Sequence, residues 1–146
     1  MKTKKSIIEQ YDSLIKERDD IKQRIKNTET SIQKILDAGN VKDHVKGGEG
    51  GLQTFHIDGF PVAEYDEKVY LLSKYKRQLK ERESMIDEML LKVEDVIKSI
   101  NNSRMRRIFT YRCEDELNWA TVAIKMGGNS TGESVRKEYE RFLKKL

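Results

Sequence analysis

Two long stretches of this chain repeat apolar residues at alternating intervals of four and three, a rhythm that suits little except paired helices. In the first, Ile7, Tyr11, Leu14, Arg18, Ile21, Ile25, Thr28, Ile32 and Ile35 mark the seam, and only Arg18 and Thr28 interrupt it. In the second, Tyr65, Val69, Leu72, Lys76, Leu79, Glu83, Ile86, Leu90, Val93, Ile97 and Ile100 do the same, with Lys76 and Glu83 as exceptions. Such spacing lays the apolar side chains along one line of an α-helix and calls for a partner helix. The remaining positions are rich in Lys, Glu, Arg and Gln, which favour helix. A first helix of about 33 residues would span about 50 Å at the helical rise. Asp37-Ala38-Gly39-Asn40 is expected to end it, with glycine where a helix terminus accepts one.

Residues 38–61 break the rhythm, with glycines at 39, 47, 48, 50, 51 and 59. Segments 41–46 and 52–57 alternate loosely, so the expectation is a Gly-rich loop or a small β-hairpin at the tip of the helix pair. No Gly-Lys-Ser/Thr follows the glycines, which excludes a nucleotide-phosphate loop. His44 and His56 lack a cysteine pair or carboxylates at ligand spacing, so they read as exposed or locally bonded histidines rather than metal ligands. Asp58-Gly59-Phe60-Pro61 turns the chain into the second helix, with Pro61 in its first turn. Folding back about this loop predicts an antiparallel coiled-coil hairpin over residues 1–100. Arg18 and Glu83 then stand at similar distances from the bend, and their pairing across the seam would set its register. Tyr75, Met85, Met89 and Val96 widen the second apolar stripe beyond one partner's needs. They are expected to bury against the C-terminal helices or against a second subunit in a homodimer.

Residues 101–146 form a separate module. Ser103 reads as the N-cap of a helix over 104–113 that sets Met105, Ile108, Phe109 and Tyr111 among Arg104, Arg106, Arg107 and Arg112. Those arginines either contact phosphates or balance Glu114-Asp115-Glu116. After a turn at 114–118, Trp119, Val122, Ala123 and Met126 fall on one face of a short helix, which Gly127-Gly128-Asn129 ends. Ser130 to Glu133 reads as a capping box with Ser130 as the N-cap. The last helix buries Val135, Tyr139, Phe142, Leu143 and Leu146 and turns Glu133, Arg136, Lys137, Glu140 and Lys144 outward. Small Ala123 and the plug Val135 suit a helix-turn-helix with an enlarged turn, and also suit a helical hairpin that closes a bundle. The expected fold is all-α, with a coiled-coil hairpin at 1–100 and a three-helix module at 101–146.

Charge separates the two parts. Residues 1–100 carry 19 Lys or Arg against 19 Asp or Glu, whereas 101–146 carry ten against six, so the whole excess of +4 lies in the last third. That is the footprint expected for phosphate contact. With Cys113 as the single cysteine, no internal disulfide can form, and a reducing compartment fits. The start MKTKKSIIEQY lacks the apolar run of a secretory leader, and no run reaches membrane-spanning length, so the expectation is a cytoplasmic protein without a membrane. No nucleophile constellation, metal cluster or nucleotide loop is visible, which points away from an enzyme and from a cofactor.

The segment ESVRKEYERFLKKL, 133–146, resembles the recognition helix in the fourth region of bacterial primary sigma factors. Glu133, Val135, Arg136, Arg141, Leu143, Lys145 and Leu146 sit on that pattern, while Ser134 stands where an arginine is usual. Arg106-Arg107-Ile108, Tyr111-Arg112 and the Trp119 to Ala123 run are similar to the preceding helices of small sigma-like regulators from phages and prophages of Gram-positive bacteria, the ArpU-like and RinA-like families. The resemblance covers about the last third of the chain and implies a transcriptional regulator that binds double-stranded DNA, with RNA polymerase alongside as one mode. The candidate DNA-binding set is Ser130, Thr131, Glu133, Ser134, Arg136, Lys137, Arg141 and Lys144. Ser130 and Thr131 would donate to phosphates, Arg136 and Lys137 would reach base edges or phosphates, and Arg141 and Lys144 would hold the backbone. Two other classes stay open, a coiled-coil interaction scaffold and a phage DNA-packaging protein of the terminase small-subunit kind.

Overall fold

The computed structural model describes residues 2–46 and 60–146. Among them the chain is all helical and no strand occurs. Its α-helices are α1 (Lys4–Lys46), α2 (Val62–Lys98), α3 (Ser103–Phe109), α4 (Trp119–Met126) and α5 (Gly132–Lys145), with a π-helical turn at Thr110–Glu114. The chain divides into two compact units, one of residues 1–16 with 83–146 and one of residues 17–82.

The first helix does not stop at residues 37–40. It runs through Gly39 to Lys46, so segment 41–46 is helical rather than one arm of a β-hairpin. The other arm, 52–57, lies outside the described residues, as do the GGEGG tip and His56, and the side chain of His44 is likewise outside them. Gly39 serves packing here instead of termination. A Cβ at this position would stand 3.2 Å from Cδ2 of Phe60, so the missing side chain admits that ring. Phe60 in turn meets Tyr65 edge-on at 5.4 Å. Pro61 precedes the first residue of α2 instead of lying inside its first turn.

In the unit of residues 17–82, the seam is only partly covered. Ile21 and Thr28 are buried, while Ile25, Ile32, Ile35, Tyr65, Leu72, Tyr75 and Leu79 are half-buried and Val69 is exposed. Thr28 satisfies its hydroxyl internally by donating to the Arg24 carbonyl at 2.8 Å. Arg82 Nε donates to Glu17 Oε1 at 2.6 Å. Because Glu17 meets Arg82 and Gly39 meets Phe60, the two segments pass in opposite chain directions within this unit. Arg18 donates to Asp19 Oδ1 at 2.9 Å in the same unit, and Glu83 belongs to the other.

The unit of residues 1–16 with 83–146 holds the main core. Phe109, Ile8, Ile108, Val93, Val122 and Val135 are its largest fully buried side chains. Ile8 rather than Ile7 starts the buried face of α1, followed by Tyr11 and Leu14. On α2 the buried stripe is Ile86, Met89, Val93, Val96, Ile97 and Ile100, while Leu90 is half-buried. Met89 and Val96 thus bury within the chain's own core, and Met85 stays exposed. This stripe joins one buried cluster with Ile8, Tyr11 and Leu14 of α1 and with Ile108, Phe109, Val122 and Val135 of the C-terminal helices. Residue 100 therefore lies inside this core.

Candidate nucleic-acid interface

The C-terminal helices are built by caps that sequence spacing places one residue away. Asn102, not Ser103, caps α3 by accepting from the Met105 amide at 3.0 Å. The next turn widens: Asp115 N donates to Thr110 O at 3.1 Å, a span of five residues, and Leu117 N donates to Tyr111 O at 3.0 Å. Glu116 turns the chain out of it at φ 53°. Asn118 then caps α4, accepting from the Thr121 amide at 2.9 Å. Gly127 (φ 75°) and Gly128 (φ 65°) end α4 as expected, both in the region that glycine reaches without strain.

The cap of α5 is Thr131, not Ser130. Ser134 N donates to Thr131 Oγ1 at 3.1 Å and Thr131 N donates to Ser134 Oγ at 2.9 Å, a reciprocal box in which serine takes the place expected of Glu133. Glu133 instead pairs with Lys137 at 3.2 Å. The shift follows from competition at close range, because the short Ser134 hydroxyl already fills the Thr131 amide. Gly132, the first residue of α5, lies against the start of α4, where a Cβ would stand 3.2 Å from Ala120 N and 3.3 Å from the Trp119 carbonyl carbon. Small Ala123 is buried between the helices, and Val135 is the fully buried plug.

The back of α5 is locked. Tyr139 stacks obliquely on Phe109 at 4.4 Å and meets Trp119 at 5.0 Å, while Phe142 meets Phe109 edge-on at 5.7 Å. Arg104 holds Glu138 with Nε to Oε1 at 2.8 Å and Nη2 to Oε2 at 3.1 Å, and that bond keeps the Glu138 carboxyl below its ordinary range. The thiol of Cys113 lies 3.9 Å from the Tyr139 hydroxyl, and burial pushes it up to about 11.

The front of α5 is polar. Glu133, Lys137, Arg141 and Lys144 follow one another at spacings of four and three along an exposed stripe, with Glu140 and Lys145 beside it. Arg141 donates to the Lys137 carbonyl at 3.3 Å. Arg136 turns to one side: it is half-buried, pairs with Glu140 at 2.8 Å, and lines a groove of about 440 Å³ with Asp12, Arg112 and Trp119 of the same unit. Both i,i+4 ion pairs are exposed and worth only a few tenths of a kcal/mol each, so a phosphate can exchange for either carboxylate.

The expected choice for the arginines of α3 and the π-helical turn, phosphates or the acidic run at 114–116, omits what they do. Arg106 donates to the Ile100 carbonyl at 3.0 Å, and Arg112 donates to the Leu117 carbonyl at 3.0 Å while covering the Trp119 ring at 4.7 Å. Arg107 donates to the Lys125 carbonyl at 3.3 Å. Only the folded arrangement brings these groups together, since each partner lies in another element or beyond a turn.

No family model, curated protein or solved structure matches this chain. Among the described residues no group of three or more His, Cys, Asp or Glu side chains is placed to hold a metal ion. No described helix is long and apolar enough to cross a membrane.

Proposed function

We propose that the chain is a sequence-specific double-stranded DNA-binding protein in which α4, the turn after it and α5 act as a helix-turn-helix. The observation that carries this reading is the asymmetry of α5: its back is fixed by Val135, Tyr139 and the Arg104–Glu138 pair, and its front offers Lys137, Arg141 and Lys144 in one exposed line. A rigid helix with a basic front is what the major groove accepts, and fixing the side chains beforehand lowers the ordering cost on binding. Thr131 and Ser134 spend their hydroxyls on the cap, so their role is to shape the helix start, with Ser130 and Glu133 at its edge. Arg136 stands at the flank of the reading face. The resemblance to sigma-like phage and prophage regulators makes transcriptional control the matching process, with RNA polymerase as a neighbour on the promoter. The paired long helices would form a hairpin arm that positions or pairs these modules.

The test is duplex binding by the purified chain across a salt series, compared with Lys137→Gln/Arg141→Gln. Each lost phosphate contact lowers the log–log salt slope by about 0.9, and each lost base contact costs about ten- to a hundredfold in affinity for the cognate site. No binding of the parent chain at low salt sinks the reading. A scaffold role draws on Tyr70 and Leu91, each 65% exposed on α2. It becomes the better account if DNA fails and a protein partner is lost on Leu91→Glu. Ring-sized assemblies by light scattering would favour DNA packaging over regulation.

A further inference from the structure

A second cationic site lies away from the front of α5. Arg107 from α3 and Lys125 from the last turn of α4 both stand over the ring of Tyr111 from the π-helical turn. The Arg107 guanidinium stands 5.9 Å from the centre of the Tyr111 ring, and the Lys125 ammonium stands 5.8 Å from that same centre. Arg107 is further held by its bond to the Lys125 carbonyl at 3.3 Å. Both cations are exposed.

Among the described residues neither cation has a counter-charge, a state that the exposed cations of residues 101–146 share only in Arg141, Lys144 and Lys145 of α5. Elsewhere in residues 101–146, Arg104 has Glu138, Arg136 has Glu140 and Lys137 has Glu133. Arg106 and Arg112 are half-buried and bonded to the carbonyls of Ile100 and Leu117. Arg107 and Lys125 are joined by no carboxylate of the described residues and share one tyrosine ring. The carbonyl end of α4 offers at most about half a negative charge against two full positive ones. Two cations gathered on one ring without an anion between them repel, and an entering anion relieves that repulsion. A guanidinium already oriented by a carbonyl and a ring face keeps most of its five donors free for a tetrahedral oxyanion.

We infer that Arg107, Tyr111 and Lys125 form a clamp for a backbone phosphate of duplex DNA, separate from the contacts made by α5. This rests on the DNA-binding reading. Lys125 lies in the last turn of α4, and the short turn after that helix leads directly to the Thr131 cap, so the clamp sits at the foot of the segment that delivers α5. A phosphate held there would fix the depth and angle at which that helix enters the groove. It would do so for any base sequence, because the phosphate carries none.

The full chain and Arg107→Gln/Lys125→Gln are compared on cognate and scrambled duplexes across a salt series, with thermal melting as a check on folding. The log–log salt slope is expected to fall by about 0.9, the share of the one phosphate that the clamp neutralises. Affinity is expected to fall by the same factor on both duplexes, leaving their ratio unchanged. Should the double variant melt early, Lys125→Gln alone keeps the test, since its side chain makes no hydrogen bond among the described residues, and a smaller fall in slope, equal on both duplexes, is expected. If the parent binds DNA and the slope of the variant is unchanged, the clamp is wrong and the DNA reading stands. If the parent binds no duplex, both fall.

Discussion

The Tyr11 hydroxyl donates to the carbonyl of Cys113 at 2.9 Å, joining residues 102 positions apart in the chain. The bond is buried, and it ties the first helix to the π-helical turn on which the C-terminal helices are carried. The helices proposed to read DNA thus share a core with the first sixteen residues.

Tyr11→Phe keeps the ring and removes the donor. It leaves the Cys113 carbonyl without this partner, which costs about 1–3 kcal/mol. Urea denaturation should show the midpoint falling with the slope unchanged. An unaltered midpoint would mean that water replaces the hydroxyl.

Residues 101–146 expressed alone should not fold. Their core is closed by Ile8, Tyr11 and Leu14 from α1 and by Val93, Val96 and Ile97 from α2, so excision exposes Phe109, Ile108 and Val135. Far-ultraviolet circular dichroism should show little helix, because helices of 7, 8 and 14 residues are marginal without packing. A cooperative melt of the fragment would contradict this.

Two Gly→Ala changes should differ in sign. At Gly132 the added Cβ meets backbone atoms of Trp119 and Ala120 at 3.2–3.4 Å, which cannot yield without parting α4 from α5. A loss of about 1–3 kcal/mol is expected despite the better helix propensity of alanine. At Gly39 the obstacle is the edge of the Phe60 ring, and alanine inside α1 should be neutral or should stabilise by up to about 1 kcal/mol. Melting curves of the two variants decide the matter.

Alkali should destabilise the fold before it ionises the buried thiol. Burial, more than any other cause, raises Cys113 from 9.0 to about 11, and it raises Tyr139 as well. Both groups hold their protons more tightly when folded; the contribution of the thiol is whole below pH 9 and is lost as pH climbs to about 11, while that of Tyr139 begins to be lost only above about pH 10. The thiol accounts for roughly 3 kcal/mol across that window at about 1.4 kcal/mol per pH unit. Stability measured at pH 7, 9 and 10.5 should fall less steeply in Cys113→Ala. An equal slope in both proteins would remove the thiol from the explanation. Disulfide-exchange reagents should likewise label Cys113 only as fast as the core opens.

Helix content was legible in the chain because it depends on periodicity and local propensity. The four-three rhythm identifies α1 and α2, and the glycines at 127 and 128 mark the end of α4. The buried face of α5 follows from spacing alone, since Val135 and Tyr139 must share a side of any helix that contains them. Tertiary structure decided what local signals leave degenerate. Glycine at 39 ends a helix or admits a neighbour's ring with equal local cost, and the packing of Phe60 selected the second. Ser130 and Thr131 are near-equal caps by chemistry, and the Ser134 hydroxyl chose between them. The arginines of α3 and of the π-helical turn after it carry the same charge in the sequence, yet folding gives Arg104 a carboxylate, Arg106 and Arg112 carbonyls, and Arg107 a ring that it shares with Lys125. A residue's type sets what it can bond, and only the distant residues brought beside it settle which bond it makes.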